Sequence, residues 1–417
     1  MRISTSSLYA TSTAQLGSLQ SQLARTQQQL STNRRMLSAA DDPVASARAL
    51  EVTQSQSINA QFATNRANAR ASLSQEEVAL TAVQQLIQDV QVTAVAAGNG
   101  INSASDRATF ANDMEGRLED LMALANTSDG NGGYLFSGYR VGTMPFVKTN
   151  AGVAYQGDQG QVHLQVGGAR RIAMSDAGSA VFTGIPTGNG AFVTAAAATN
   201  GGSAVISAGT VSDPRLASGH GYSVNFTFTA GTPAAGAVAA TPDVTSYQIN
   251  DTTHYPATPV GAPVPYNSGD AISVAGMTFN IKGVPANNDS FTIQPSDKQD
   301  LFTTLSKMID ALRAPANTPA EKQALTDGLA AANGNFSAAF DRVLTVRASV
   351  GSRQKELDTL DTAGQDTDIQ YAATLSGLQD LDMVKAISQF TQQQATLDAA
   401  QKTFKAVSSL SLFNYIG

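Results

Sequence analysis

The stretch Met383–Gly417, MVKAISQFTQQQATLDAAQKTFKAVSSLSLFNYIG, decides how the rest of the chain must be arranged. Phe390, Leu397 and Phe404 recur every seven residues, and Ala386, Ala400 and Val407 fall between them. This is the a/d seam of a helix whose other faces carry Gln, Thr, Ser and Lys. The stripe is narrow, and short helices are marginal in water, so it requires a partner. The opposite end of the chain offers one. Leu16, Leu23, Leu30 and Leu37 also recur every seven residues, with Leu19 between the first two. At about 1.5 Å per residue each end makes a rod on the order of 50–60 Å long. A chain with two such ends folds back and pairs its own termini, and part of the seam is expected to meet other subunits.

Between the ends the pattern stays helical at first. Asp42 is expected to cap a helix that has Pro43 at its first position, where a missing N–H costs nothing. The Asp41–Asp42 pair lacks the third ligand or histidine that metal or acid–base chemistry needs. Leu73, Leu80 and Ile87, with Val83 and Val90, give one long helix from Pro43 to about Ala97, ended by Gly98-Asn99-Gly100. A second helix, from about Ser105 to Ala125, carries Phe110, Met114, Leu118 and Leu121 on one face. A turn-rich run follows at Thr127–Gly133.

From about 141 to 295 short Val, Thr, Tyr and Phe runs alternate with period two between Gly, Pro, Asn and Asp. The clearest are 161–166, 222–227, 271–274 and 277–281, which read as antiparallel strands. Residues 190–212 are Ala-, Thr- and Gly-rich, and are expected to be a loose connection. Helices resume at Ser296-Asp297-Lys298-Gln299, a capping-box pattern, followed by Leu301, Leu305, Met308 and Leu312. Pro315 stops that helix. A second box, Thr318-Pro319-Ala320-Glu321, opens another, with Phe336, Phe340, Val343, Val350 and Leu357 on its apolar face.

The expected fold class is therefore α+β: long paired N- and C-terminal helices around an inserted antiparallel β domain. The expected divisions are 1–42 with 376–417 as a terminal coiled coil that orders only on assembly, 43–140 with 296–375 as a helical bundle, and 141–295 as the insertion. Tyr134, Phe136 and Tyr139 are candidates to anchor the insertion to the bundle.

Composition narrows the function. Only 14% of the 417 residues are charged, the formal net charge is −7, and there is no cysteine or tryptophan. No basic patch stands out for nucleic acid. Zero cysteine removes disulfides, thiolate catalysis and Cys-ligated zinc. No apolar leader opens the sequence, and no apolar run is long enough to span a bilayer. His163, His220 and His254 are far apart in sequence without metal-ligand spacing, and no nucleophile–base motif or phosphate loop appears. No cofactor, metal or catalytic residue is expected. Arg34 and Arg35 serve equally as neighbour contacts or as a solvated face.

The residues also resemble a known family. The run Asn33–Ala45, in which a hydrophobic stripe leads into Asp41-Asp42, is similar to the N-terminal signature of the flagellin family. The runs Leu381–Ile387, Phe390–Gln394 and Leu410–Ile416 are similar to its C-terminal region. Gly133–Tyr139, Pro145-Phe146 and Tyr155–Gly160 resemble the branch that joins hook to filament, whereas the acidic run usual in filament members is reduced here to Asp380-Leu381-Asp382. The resemblance covers about 1–185 and 260–417. It implies an extracellular structural protein of the bacterial flagellum, exported through the flagellar type III channel without a cleaved signal peptide. It implies as partners a hook-side junction protein, flagellin, identical subunits in a ring, and an export chaperone at the C-terminus. The subunit-facing residues it implies are the seam positions Leu16, Leu23, Leu30, Leu37, Phe390, Leu397, Phe404, Val407, Leu410 and Phe413. A filament-forming flagellin, a phage-tail or adhesin-like fibre and an enzyme of unknown type are the rival readings.

Overall fold

The computed structural model describes residues 5–150, 152–216, 219–231 and 243–409. Seven helices are present among them: α1 (Thr5–Thr32), α2 (Pro43–Ala97), α3 (Ala104–Ala125), α4 (Gly178–Phe182), α5 (Leu301–Arg313), α6 (Pro319–Gln379) and α7 (Met383–Ser409). The strands lie between α3 and α5, so the expected α+β nesting is the observed one.

Local chemistry sets most helix ends. The Ala45 N–H donates to Asp42 Oδ1 at 3.0 Å, so Asp42 caps α2 as its spacing predicts. Ser103 and Asp106 form a reciprocal capping box at α3. Thr318 and Glu321 do the same at α6: the Glu321 N–H donates to Thr318 Oγ1 and the Thr318 N–H to Glu321 Oε2. The start of α5 differs from expectation. Its cap is Asp300, whose carboxylate accepts from the Thr303 N–H at 2.6 Å. Ser296 is drawn away because its hydroxyl donates to the Thr187 carbonyl, while Lys298–Gln299 pair as a strand with Ile185–Pro186.

The chain divides into two compact units. One comprises Met1–Arg66, Val166–Arg170 and Asp358–Gly417; the other comprises Ala67–Gln165 and Arg171–Leu357. The cut in α2 falls after Arg66, later than the 42 expected from sequence, and the cut in α6 falls before Asp358, earlier than the expected 376.

In the first unit α1 lies along α7. Thr26 donates to Gln393 at 2.9 Å, and Tyr9 meets Phe404 edge-on with ring centroids 5.8 Å apart. A second helix pair, formed by the start of α2 and the end of α6, is tied by Asn59 donating to the Gly364 carbonyl at 2.8 Å and by the Arg66–Asp361 ion pair.

In the second unit the stripe Leu73, Leu80, Val83, Ile87 and Val90 of α2 is fully buried. So are Met114 and Leu121 of α3, Leu305, Met308 and Leu312 of α5, and Phe336, Val343, Val350 and Leu357 of α6. α2 and α6 run antiparallel, with Arg347 reaching Glu77 at 2.5 Å and Gln91 reaching Ser337 at 3.0 Å.

The β region shares a core between two antiparallel sheets. One is ordered Thr258–Pro259, Val244–Asp251, Tyr222–Thr229, Ser290–Pro295, Phe192–Ala196, with Val264–Pro265 also on Val244–Asp251. The other is ordered Ala271–Val274, Met277–Lys282, Val205–Ile206, with Thr210–Val211 also on Met277–Lys282. Phe192, Val224, Phe226, Phe279, Ile281, Phe291 and Ile293 are buried in that core. Ala275 and Gly276, both at positive φ, make the two-residue hairpin turn between Val274 and Met277. The stretch 190–212 is not a loose connection: it supplies three short strands. Its large apolar residues are few, but Phe192 plugs the core and backbone pairing does the rest.

Candidate assembly interface

The seam predicted from the two ends is partly closed by the chain itself. In α1, Leu16, Leu19, Leu23 and Leu30 are half-buried, as are Phe390, Ala400 and Phe404 in α7. Among the described residues there, only Ala386, Leu397 and Thr26 reach full burial. The contrast with the fully buried leucines of α2 follows from geometry, because a lone pair of helices covers one side of each stripe and leaves its flanks wet. Leu37 keeps the sevenfold spacing but not the helix. α1 ends at Thr32, and Leu37 sits half-buried in the turn that follows. Leu410 and Phe413 lie outside the described residues, as does the side chain of Val407.

That turn accounts for the acidic pair and for Arg35. Asp41 Oδ2 accepts from the backbone N–H groups of Leu37 and Ser38 at 2.8 and 3.0 Å, and Asp41 Oδ1 meets Arg25 at 2.6 Å. These backbone hydrogen bonds, helped by Arg25, hold the half-buried Asp41 carboxyl below the usual range. Asp41 closes the turn while Asp42 caps the next helix. The Arg35 guanidinium donates to the Leu378 carbonyl at 2.9 Å, satisfying the C-terminal end of α6. The Arg35 N–H donates to the Gln379 carbonyl and the Leu381 N–H to the Asn33 carbonyl, so the turn and the α6–α7 break are laced together.

Around this lacing the first unit exposes apolar side chains that the sevenfold reading passes over. Val384 is 82% exposed, Val44 79% and Leu50 73%, with Ile369 and Ile387 also exposed. Val384 and Ile387 are three residues apart, one turn along one face of α7. Their signal in the sequence is being apolar and off the a/d register.

The candidate anchors separate. Phe136 is fully buried and meets Phe182 edge-on with centroids 5.2 Å apart; Phe182 in turn meets Phe146 and Phe302. Tyr134 is half-buried and pairs its N–H with the Val141 carbonyl. Tyr139 is 65% exposed, because its backbone N–H is held by Asp158 at 2.9 Å and its ring rests on the surface of Gly160.

Two of the three histidines are closer than their spacing suggests. His220 Nδ1 lies 2.7 Å from Asp251 Oδ2, and the His220 and His254 rings are 6.5 Å apart. The strand ending at Asp251 brings them together. Hydrogen bonds from Thr253, then His220, hold the Asp251 carboxyl down at about 2. Among the described residues no group of three His, Cys, Asp or Glu side chains is arranged to hold a metal ion. No described helix is long and apolar enough to cross a membrane. The geometry here is that of helix association.

Residues 3–140 match the family model described as the bacterial flagellin N-terminal helical region. Over 414 residues, 99% of each chain, the sequence is 28% identical to flagellar hook-associated protein 3 of Salmonella typhimurium. It is also similar to the solved structure of flagellar hook associated protein-3 from Legionella pneumophila, with TM-score 0.70 and 29% identity over 78% of this chain and 98% of that one. A further structure from the same organism, of the flagellar junction protein FlgL, gives TM-score 0.69 and 28% identity over 80% of this chain and 100% of that one. Signature, nested helices, β insertion and full-length similarity agree, and the chain is similar to the hook-associated proteins of the flagellin family along its whole length.

Proposed function

We propose that this chain is a structural adaptor at the hook–filament junction of the bacterial flagellum. It links a hook-side junction protein to the first flagellin subunits, with identical subunits beside it in a ring. The observation that carries this reading is the half-covered seam. The stripe residues of α1 and α7 leave apolar flanks that a neighbouring helix can fill, whereas the leucines of α2 are sealed within the second unit. The full-length similarity to hook-associated protein 3 supports the junction role over filament growth. The work is burial of apolar surface with no bond chemistry. Export through the flagellar type III channel, with a chaperone over the C-terminal seam, belongs to the same reading.

Two measurements test it. Concentrated pure protein viewed by negative stain is expected to give no long fibres; abundant fibres mean a filament flagellin instead. Phe404→Asp places a charge in a seam that becomes dry on association, where an unpaired charge is costly. The variant is expected to abolish assembly at the junction, scored by motility and by filaments shed into the medium, while the main thermal transition stays in place. Normal assembly by Phe404→Asp removes the seam from the mechanism.

A further inference from the structure

The second unit contains a buried acidic contact that helix association does not use. Glu76, on α2, is fully buried. Its Oε1 accepts from the Asp176 backbone N–H at 3.0 Å, and its Oε2 has no donor. The backbone N–H that Glu76 accepts belongs to Asp176, whose own carboxylate charge bears on the Glu76 carboxyl. Asp176 is itself only 8% exposed and is already engaged at both oxygens: Gln161 Nε2 donates to Oδ1 at 2.6 Å and Arg353 of α6 binds Oδ2. Arg353 also donates to the Ala173 carbonyl at 3.2 Å. The next ion pair along the same two helices joins Glu77 Oε1 to Arg347, and Glu77 Oε2 likewise lacks a donor, but Glu77 has a guanidinium of its own.

Two buried carboxyls against one guanidinium leave a charge deficit that a proton can make up, and Oε2 is the oxygen that lacks a donor. We propose that Glu76 and Asp176 hold one proton between them, and that this proton latches the segment around residues 172–178 to α2 and α6. With the proton in place the carboxyls hydrogen-bond to each other and Arg353 balances the remaining charge. When it leaves to solvent, two anions face each other in a dry site and the segment opens. The segment joins the Arg171–Ala173 strand to α4, whose Val181 and Phe182 are buried. The latch therefore governs how firmly this joint is seated.

The direction of the pH dependence follows from the Glu76 environment. Burial first, then the neighbouring Asp176 charge, raise the Glu76 carboxyl from 4.5 to about 8. The closed state thus keeps its proton to higher pH than the open one. Protection is complete below about 4.5 and is lost as pH rises through about 8. Between pH 7 and pH 9 the opening equilibrium is expected to rise roughly tenfold.

Hydrogen exchange on the full chain, corrected for the intrinsic rate, reads this directly. In the parent, backbone protection over 172–178 is expected to fall roughly tenfold between pH 7 and 9, while Glu76→Gln, which keeps an acceptor and needs no proton, is expected to stay protected at both. Glu77→Gln serves as the comparison and is expected to behave as the parent. A parent with flat protection overturns the latch without any variant. A drop that persists in Glu76→Gln, or disappears in Glu77→Gln, assigns the titration to another group and overturns it as well.

Discussion

At the scale of single residues, short-range chemistry decides which side chains matter. Asp41 and Asp42 are adjacent and alike, yet one closes a turn over the Leu37 and Ser38 N–H groups and the other caps α2. Phe136 and Tyr139 are three positions apart, and one is sealed while the other is mostly exposed. Phe136→Ala empties a space bounded by Phe182, and its expected cost is about 3–5 kcal/mol, read as a shift of the denaturant midpoint of the second unit. A loss below about 1 kcal/mol would show that the aromatic cluster collapses around the gap. The caps at Asp42 and Thr318 were legible from spacing because their donors and acceptors lie within three residues. The cap at Asp300 was not, because the competing acceptor for Ser296 is Thr187, 109 residues away.

Among elements, the long helices follow from periodicity and the connecting pieces do not. α2 runs unbroken from Pro43 to Ala97 because its a/d residues keep the sevenfold spacing and neither Gly nor Pro intervenes after Pro43. The break between α6 and α7 falls where Arg34 and Asp380 form an isolated bridge and Arg35 takes the last carbonyls of α6. The short α4 owes its position to contact. A Cβ added at Gly178 would come within 2.7 Å of the Phe146 ring and 2.9 Å of the Phe136 carbonyl. Gly178→Ala is therefore expected to cost about 1–3 kcal/mol, seen as an earlier thermal transition, although alanine is ordinarily the better helix former. An unchanged transition would mean that the ring moves aside freely.

For the molecule as a whole, the two units differ in how completely they bury what they carry. The second has helix stripes and a two-sheet core with side chains at zero exposure; the first has paired helices whose stripes remain half-open. Limited proteolysis of the dilute chain is expected to trim roughly the first and last forty residues, the ends of the seam, and to stop at a resistant fragment that keeps the β region. Protection of both ends at dilution would mean that α1 and α7 need no neighbour, and the adaptor reading would lose its driving force.

The sequence by itself determined the helix–β–helix nesting, the extent of α2, the caps at α2 and α6, and the sevenfold seams at both ends. Each of these rests on residues within one or two helical turns of each other, so spacing carries the information. Only the tertiary structure decided that 190–212 would supply strands, that His220 and His254 would meet at Asp251, that Tyr139 would lie at the surface, and that Glu76 would face Asp176. Those outcomes depend on where the chain returns after tens to hundreds of residues, and a polar side chain shows no trace in sequence of which distant partner will desolvate it.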